Sequence, residues 1–125
     1  MTTLPLAGLT VVAVEQAVAA PFATSRLADA GARVIKIERP EGDFARGYDS
    51  AVKGQASYFV WLNRGKESLV LDLTTDAGKQ ALADLLKDAD VLVQNLKPGS
   101  LARLGFDPER LAADYPRLIT CSISG

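Results

Sequence analysis

The 125-residue sequence contains no histidine. That removes zinc sites of the usual kind, and any histidine-based triad, from this chain. Cys121 is the sole cysteine, which excludes an internal disulfide and points to a reducing, cytosolic setting. No apolar run approaches the roughly 20 residues of a membrane span. The stretch from Met1 to Ala7 has no basic residue and no apolar h-region, which argues against a signal peptide. The formal net charge is -1, so no bulk field favours nucleic acid or an anionic membrane. Any bound anion must be held by locally placed cations. Both familiar phosphate loops are missing. Ala17-Val18-Ala19-Ala20-Pro21 follows the first strand-like run without the glycines of G-x-G-x-x-G. Arg64-Gly65-Lys66-Glu67 lacks the preceding glycine of a P-loop, and a strand rather than a helix follows it.

What is present suits one ordinary globular domain. Hydrophobic residues make up 48% of the chain, ample for a core. Thr10-Val11-Val12-Ala13-Val14 is a short β-branched apolar run of the kind covered on both faces. Pro21 fits the first position of a helix running to about Ala30, with Phe22, Ala23, Leu27 and Ala30 on one face. Gly31 supplies its left-handed stop. Residues Arg33 to Glu38 alternate and read as a second strand. Residues 40–66 are irregular, with turns marked by Gly42, Gly47 and Gly54. Within them Tyr58-Phe59-Val60-Trp61-Leu62 predicts a short helix or turn that plugs the core or meets a partner.

Residues Ser68 to Leu73 read as a third strand. A helix follows, capped by Thr75, with Asp76 in its first turn and Ala77, Ala81, Leu82, Leu85 and Leu86 as its apolar stripe. Val91-Leu92-Val93 is a fourth strand. Pro98 and Asp107-Pro108 open two short helices, and Leu118 to Ser122 is a fifth strand. Strands alternating with helices predict an open, mainly parallel α/β sheet with right-handed crossovers. The chain stops just after that fifth strand, at Ser122-Ile123-Ser124-Gly125, which reads as a cut inside a longer protein.

In such a sheet, ligands bind beyond the carboxyl ends of the strands. Those ends carry Glu15 to Ala20, then Glu38, Arg39 and Pro40, then Asp72 and Thr74, then Gln94 to Lys97, and Ser122 to Gly125. Arg39, Lys97 and Arg103 bring cations to this rim. Amides and hydroxyls accompany them. The set suits an extended ligand with phosphates, each charge-assisted bond contributing ~1.5–3 kcal/mol. Strand ends face solvent in any case, so polar residues there also fit a plain surface.

The ordered strings along this chain resemble the N-terminal part of the family III CoA-transferases, a family that includes formyl-CoA transferase and carnitine CoA-transferase. The carriers are Leu6-Ala7-Gly8-Leu9-Thr10-Val11-Val12 and Leu27-Ala28-Asp29-Ala30-Gly31-Ala32-Arg33-Val34-Ile35-Lys36-Ile37-Glu38-Arg39-Pro40. Gly42-Asp43, Asn63-Arg64-Gly65-Lys66-Glu67-Ser68, Leu71-Asp72-Leu73 and Ala89-Asp90-Val91-Leu92-Val93-Gln94-Asn95 continue the match, with Pro98-Gly99, Leu104-Gly105 and Ser122-Ile123-Ser124-Gly125. The resemblance implies that residues 1–125 are a Rossmann-like region with helices on both faces, binding coenzyme A, in a chain about three times as long. It also implies two subunits threaded through each other as linked rings.

By matching positions, the coenzyme A contacts fall on Ala17, Val18, Arg39, Leu71, Thr74, Asn95, Leu96, Lys97, Arg103 and Ser124. Arg39 and Arg103 would meet the adenosine phosphates. The main chain of the Leu71 and Leu96 segments would hold the adenine. The family's aspartate nucleophile lies beyond Gly125, so no catalytic residue is assigned here; Asp29, Asp43, Asp72 and Asp90 read as caps, turns or surface acids. Formyl-CoA transferase carries a glutamine one step after Ala17-Val18 and a lysine where Ser124 stands, which weakens the case for oxalate and formyl specificity. Glu15 to Val18, Gly42 to Arg46 and Phe59 to Arg64 look most like branches handling C4–C5 dicarboxylic acids such as mesaconate, citramalate or itaconate. Arg46 and Arg64 would meet a second carboxylate there, or else be solvated loop arginines. The expected activity is transfer of CoA from an acyl-CoA to a carboxylic acid, in the cytoplasm, by a protein that engages neither nucleic acid nor membrane. The alternatives are a racemase acting alpha to a CoA thioester and a non-catalytic nucleotide-binding domain.

Overall fold

The apolar run read as the first strand becomes β1 (Thr10–Val14) and lies at the centre of a five-stranded sheet. In the computed structural model residues 3–125 are described. Met1 and Thr2, the start of the stretch read above for a signal peptide, lie outside the described residues. The other strands are β2 (Arg33–Glu38), β3 (Glu67–Val70), β4 (Val91–Gln94) and β5 (Ile119–Ser122). Their spatial order is β3-β2-β1-β4-β5, and every neighbouring pair is parallel. The chain winds outward from β1 to β3, then returns to β4 on the other side. The strand order thus reverses beside β1, the kind of position where open parallel sheets bind ligands beyond their strand ends.

Among the described residues five α-helices cover the sheet: α1 (Ala19–Asp29), α2 (Ser57–Asn63), α3 (Asp76–Asp88), α4 (Ser100–Arg103) and α5 (Pro108–Asp114). A 3-10 turn, Phe44–Gly47, precedes α2. One sheet face packs Val12, Val14, Ile35, Ile37 and Leu92 against Leu82 and Leu86 of α3, Leu101 of α4, Phe106, and Leu111 of α5. The other packs Val11, Ala13, Val34 and Val93 against Ala20 of α1 and Ala32.

Several elements differ from the sequence reading in instructive ways. Pro21 is the third residue of α1, not the first, but it still lies in the turn whose N–H groups lack helical partners. The buried face of α1 is Ala20, Pro21, Thr24 and Ser25, while Phe22 is exposed. Polar residues face inward because they are satisfied there. Thr24 Oγ1 donates to the buried Glu15 carboxylate, and Ser25 Oγ donates to the Phe22 carbonyl at 2.7 Å. In α3 the buried stripe runs through Gly78, Leu82 and Leu86, with Ala77 exposed. A Cβ at Gly78 would lie 1.9 Å from the Asp72 carbonyl oxygen, so only glycine permits that approach. β3 ends at Val70 because Asp72 turns the chain: its carboxylate accepts from the Thr74 N–H at 3.0 Å. α4 begins at Ser100, after Gly99 in a left-handed conformation.

The Tyr58–Leu62 segment forms α2 as a plug. Leu62 is fully buried, whereas Tyr58 and Trp61 remain exposed and meet edge to face, ring centroids 5.9 Å apart.

Candidate functional site

Beyond the carboxyl ends of β1, β2 and β3 lies a cleft of ≈ 310 Å³. Val14, Ile37, Leu71, Leu73, Leu96 and Leu104 give it apolar walls, Gln16, Arg39 and Thr74 bring polar atoms, and Glu15, Glu38, Glu41, Asp43 and Asp72 place carboxylates in the same lining. Apolar walls with convergent polar groups are the usual form of a small-molecule site.

Arg39 is the cation best placed for this hollow. It follows directly on β2, donates from Nε to the Gly42 carbonyl at 2.9 Å, and lies over the Phe44 ring at 4.1 Å. These contacts orient the guanidinium without neutralising it. It forms no ion pair with any described residue. Glu38, also in the cleft wall, is by contrast fully occupied. Its carboxylate accepts from Arg46 Nε (2.8 Å) and Nη2 (2.7 Å), the Asp43 N–H (3.1 Å) and Ser68 Oγ (3.1 Å). The Arg46 pairing holds its carboxyl well below the usual range, at about 2.

The residues named from sequence divide into three sets. Arg39, Leu71, Thr74 and Leu96 line the one cleft. Ala17, Val18 and Asn95 adjoin it through Gln16, whose N–H donates to Asn95 Oδ1 at 2.9 Å and whose carbonyl accepts from Asn95 Nδ2 at 2.8 Å. Ser124 lines a neighbouring hollow of ≈ 250 Å³, with Leu96 as the shared wall. Lys97, in the turn before α4, and Arg103, the last residue of α4, are exposed and line neither hollow, although Leu104, next after Arg103, does reach the cleft. Arg46 and Arg64 are engaged internally: Arg46 with Glu38, Arg64 with Asp29 at 2.8 Å.

The sequence reading missed a buried charge network beside the cleft. Lys36, 1% exposed, donates from Nζ to Asp43 Oδ2 at 2.8 Å and Glu15 Oε2 at 3.2 Å. Lys66 Nζ donates to Glu15 Oε2 (2.9 Å), the Pro21 carbonyl (3.0 Å) and Asn63 Oδ1 (3.0 Å). Burial pushes the Lys66 ammonium below the ordinary lysine range, with Glu15 opposing the shift. Every buried side-chain nitrogen and oxygen among the described residues has a partner. A lysine between two isoleucines in a strand flanked by other strands was the available signal, since a buried charge must be paired.

Among the described residues no cluster of three or more His, Cys, Asp or Glu side chains is placed to hold a metal ion. The comparisons with known proteins agree with one another. The model of CoA-transferase family III matches residues 6–125. An acetyl-CoA:oxalate CoA-transferase of Acetobacter aceti is 45% identical over 122 residues, covering 97% of this chain and 31% of that protein. A succinyl-CoA:mesaconate CoA-transferase of Haloarcula hispanica is 41% identical over 122 residues, covering 94% of this chain and 31% of that protein. Among solved structures, Rv3272 from Mycobacterium tuberculosis in its orthorhombic form superposes with a TM-score of 0.92 at 39% identity, covering 98% of this chain and 35% of that one. The chain thus spans about a third of the length of these relatives.

Proposed function

The chain belongs to CoA-transferase family III, and from that premise we propose that the protein containing it moves coenzyme A from an acyl-CoA to a carboxylic acid. Residues 1–125 form the region that grips the CoA carrier. Its nucleotide end occupies the cleft beyond β1, β2 and β3. Arg39 meets a phosphate there, and the main chain at Leu71, Thr74 and Leu96 borders the adenine. Ala17, Val18 and Asn95 lie toward the thioester arm, and Lys97, Arg103 and Ser124 approach from the β4–β5 side. The aspartate that attacks the thioester belongs to residues outside this region, so residues 1–125 alone do not turn over.

The observation that carries this reading is Arg39: an oriented, unneutralised cation at the rim of an apolar cleft, at the strand ends where such sheets bind ligands. Dicarboxylic acids are the acceptors to try first, C4–C5 acids such as mesaconate together with oxalate, because relatives on both sides carry those names. Arg46 is held by the buried Glu38 carboxylate, whereas Arg64 shares only an exposed ion pair with Asp29 and stays the more available of the two for the acid. The reading includes a cytoplasmic protein that acts as an interlocked homodimer and engages neither nucleic acid nor membrane. No helix among the described residues is long and apolar enough to cross a membrane.

Arg39→Ala in the full-length protein tests it. The KM for acyl-CoA rises about 10- to 100-fold, the loss of one charge-assisted phosphate contact, while the KM for the acid stays nearly constant. Equal changes in both constants contradict a phosphate contact.

A further inference from the structure

Ala17 has φ +64, one of two non-glycine residues with positive φ among those described. An L-residue is disfavoured there, and the conformation persists only where the surroundings impose it. Two side chains impose it from opposite sides. The Ala17 N–H donates to Asp43 Oδ1 at 2.8 Å, and the neighbouring Gln16 has both its main-chain N–H and carbonyl taken by the Asn95 amide. Asp43 is itself fixed. Its Oδ2 accepts from the buried Lys36 at 2.8 Å, and its Oδ1 also accepts from the Ala45 N–H at 2.9 Å. The clamp spans β1, β2, β4 and the 3-10 turn, elements far apart in sequence.

We propose that Asp43 and Asn95 are positioning residues: together they lock residues 16–18 in a strained turn that sets the thioester arm of the bound acyl-CoA in place. The proposal rests on the function assigned above. Pinning both amides of a two-residue segment removes freedom from the turn before the ligand arrives, and small displacements of a reacting group cost rate more than binding. Lys36 serves the clamp indirectly by fixing which Asp43 oxygen faces Ala17.

The test is an epistasis experiment on the full-length protein. Asp43→Asn places an amide before the Lys36 ammonium and loosens the clamp. It lowers kcat about 10- to 100-fold while the KM for acyl-CoA changes by less than about threefold. The same substitution is then made in an Ala17→Gly background. Glycine adopts positive φ without strain, so the turn holds its shape with less help, and the kcat loss caused by Asp43→Asn shrinks at least about fivefold. Equal losses in both backgrounds overturn the proposal, because a purely structural Asp43 would be indifferent to residue 17. An unchanged kcat in Asp43→Asn overturns it as well. Should Asp43→Asn fail to fold, Asn95→Asp, which cannot donate to the Gln16 carbonyl, is compared in the same two backgrounds under the same criterion. Arg39→Ala separates the two levels. If it raises the KM for acyl-CoA while residue 17 makes no difference, this inference fails alone; if it leaves that KM unchanged, the functional reading fails and takes the inference with it.

Discussion

The sheet face under α3, α4 and α5 is filled with aliphatic side chains, while the face under α1 and α2 encloses Lys36, Lys66, Glu15 and Asp43. Both are closed to water, but they specify structure differently. Leu82 and Leu86 contribute through contact area, which tolerates small shifts. The charged face tolerates few, because each ion needs its own partners at hydrogen-bond distance. Its outer carboxylates, Glu15, Glu38 and Asp43, also stand in the cleft wall. The demanding half of the core therefore lies next to the cleft.

The largest way to break the comparison is to remove one charge and one leucine in parallel. Lys36→Ala leaves Asp43 without its ammonium and destabilises the protein by about 3–5 kcal/mol. Leu82→Ala opens a cavity and costs about 3 kcal/mol. Chemical denaturation of the two variants measures both. Kinetics then separate them: Lys36→Ala lowers kcat because Asp43 loses its anchor, whereas Leu82→Ala leaves kcat within about twofold. Matching kcat losses in the two variants would erase the distinction between the faces.

Acid sharpens the contrast with a smaller effect. Glu38 titrates at about 2 in the folded chain against an ordinary value of 4.5. A depressed carboxyl stabilises the fold fully above the unfolded value and loses that contribution as pH falls toward the folded one. Between pH 4.5 and about pH 3 roughly 2 kcal/mol of stability disappears through this group. Glu38→Gln flattens that part of the stability profile, while Leu82→Ala shifts the whole profile and keeps its slope. Denaturation midpoints across the acid range read this directly.

The parts of this fold that follow from neighbours in sequence were legible. Thr75 caps α3 by accepting from the Gly78 N–H at 3.0 Å, and Asp107 caps α5 by accepting from the Arg110 N–H at 2.9 Å, both within four residues. The parallel order followed from strands alternating with helices, and the strand-end rule brought Arg39, Leu71, Thr74 and Leu96 to one cleft. The clamp was not legible. Lys36 and Glu15 are 21 residues apart, Lys66 and Glu15 are 51, and Gln16 and Asn95 are 79. The alternation of β2 marked it as a strand but not how deeply it lies: all its residues after Arg33 are buried, with β1 and β3 on its two sides. Phe22 was drawn inward for its hydrophobicity; Thr24 took that place because Glu15 needed a donor. Lys97 and Arg103 were grouped with Arg39 by charge, while their exposed positions, Lys97 in the turn before α4 and Arg103 at its last residue, leave them out of the cleft lining.

The most direct test is the structure of the full-length protein crystallised with coenzyme A. The account predicts the adenosine in the cleft between the β1, β2 and β3 ends, a phosphate oxygen accepting from the Arg39 guanidinium, and the chain of the carrier passing residues 16–18. Coenzyme A bound elsewhere, with Arg39 still facing solvent, would contradict it.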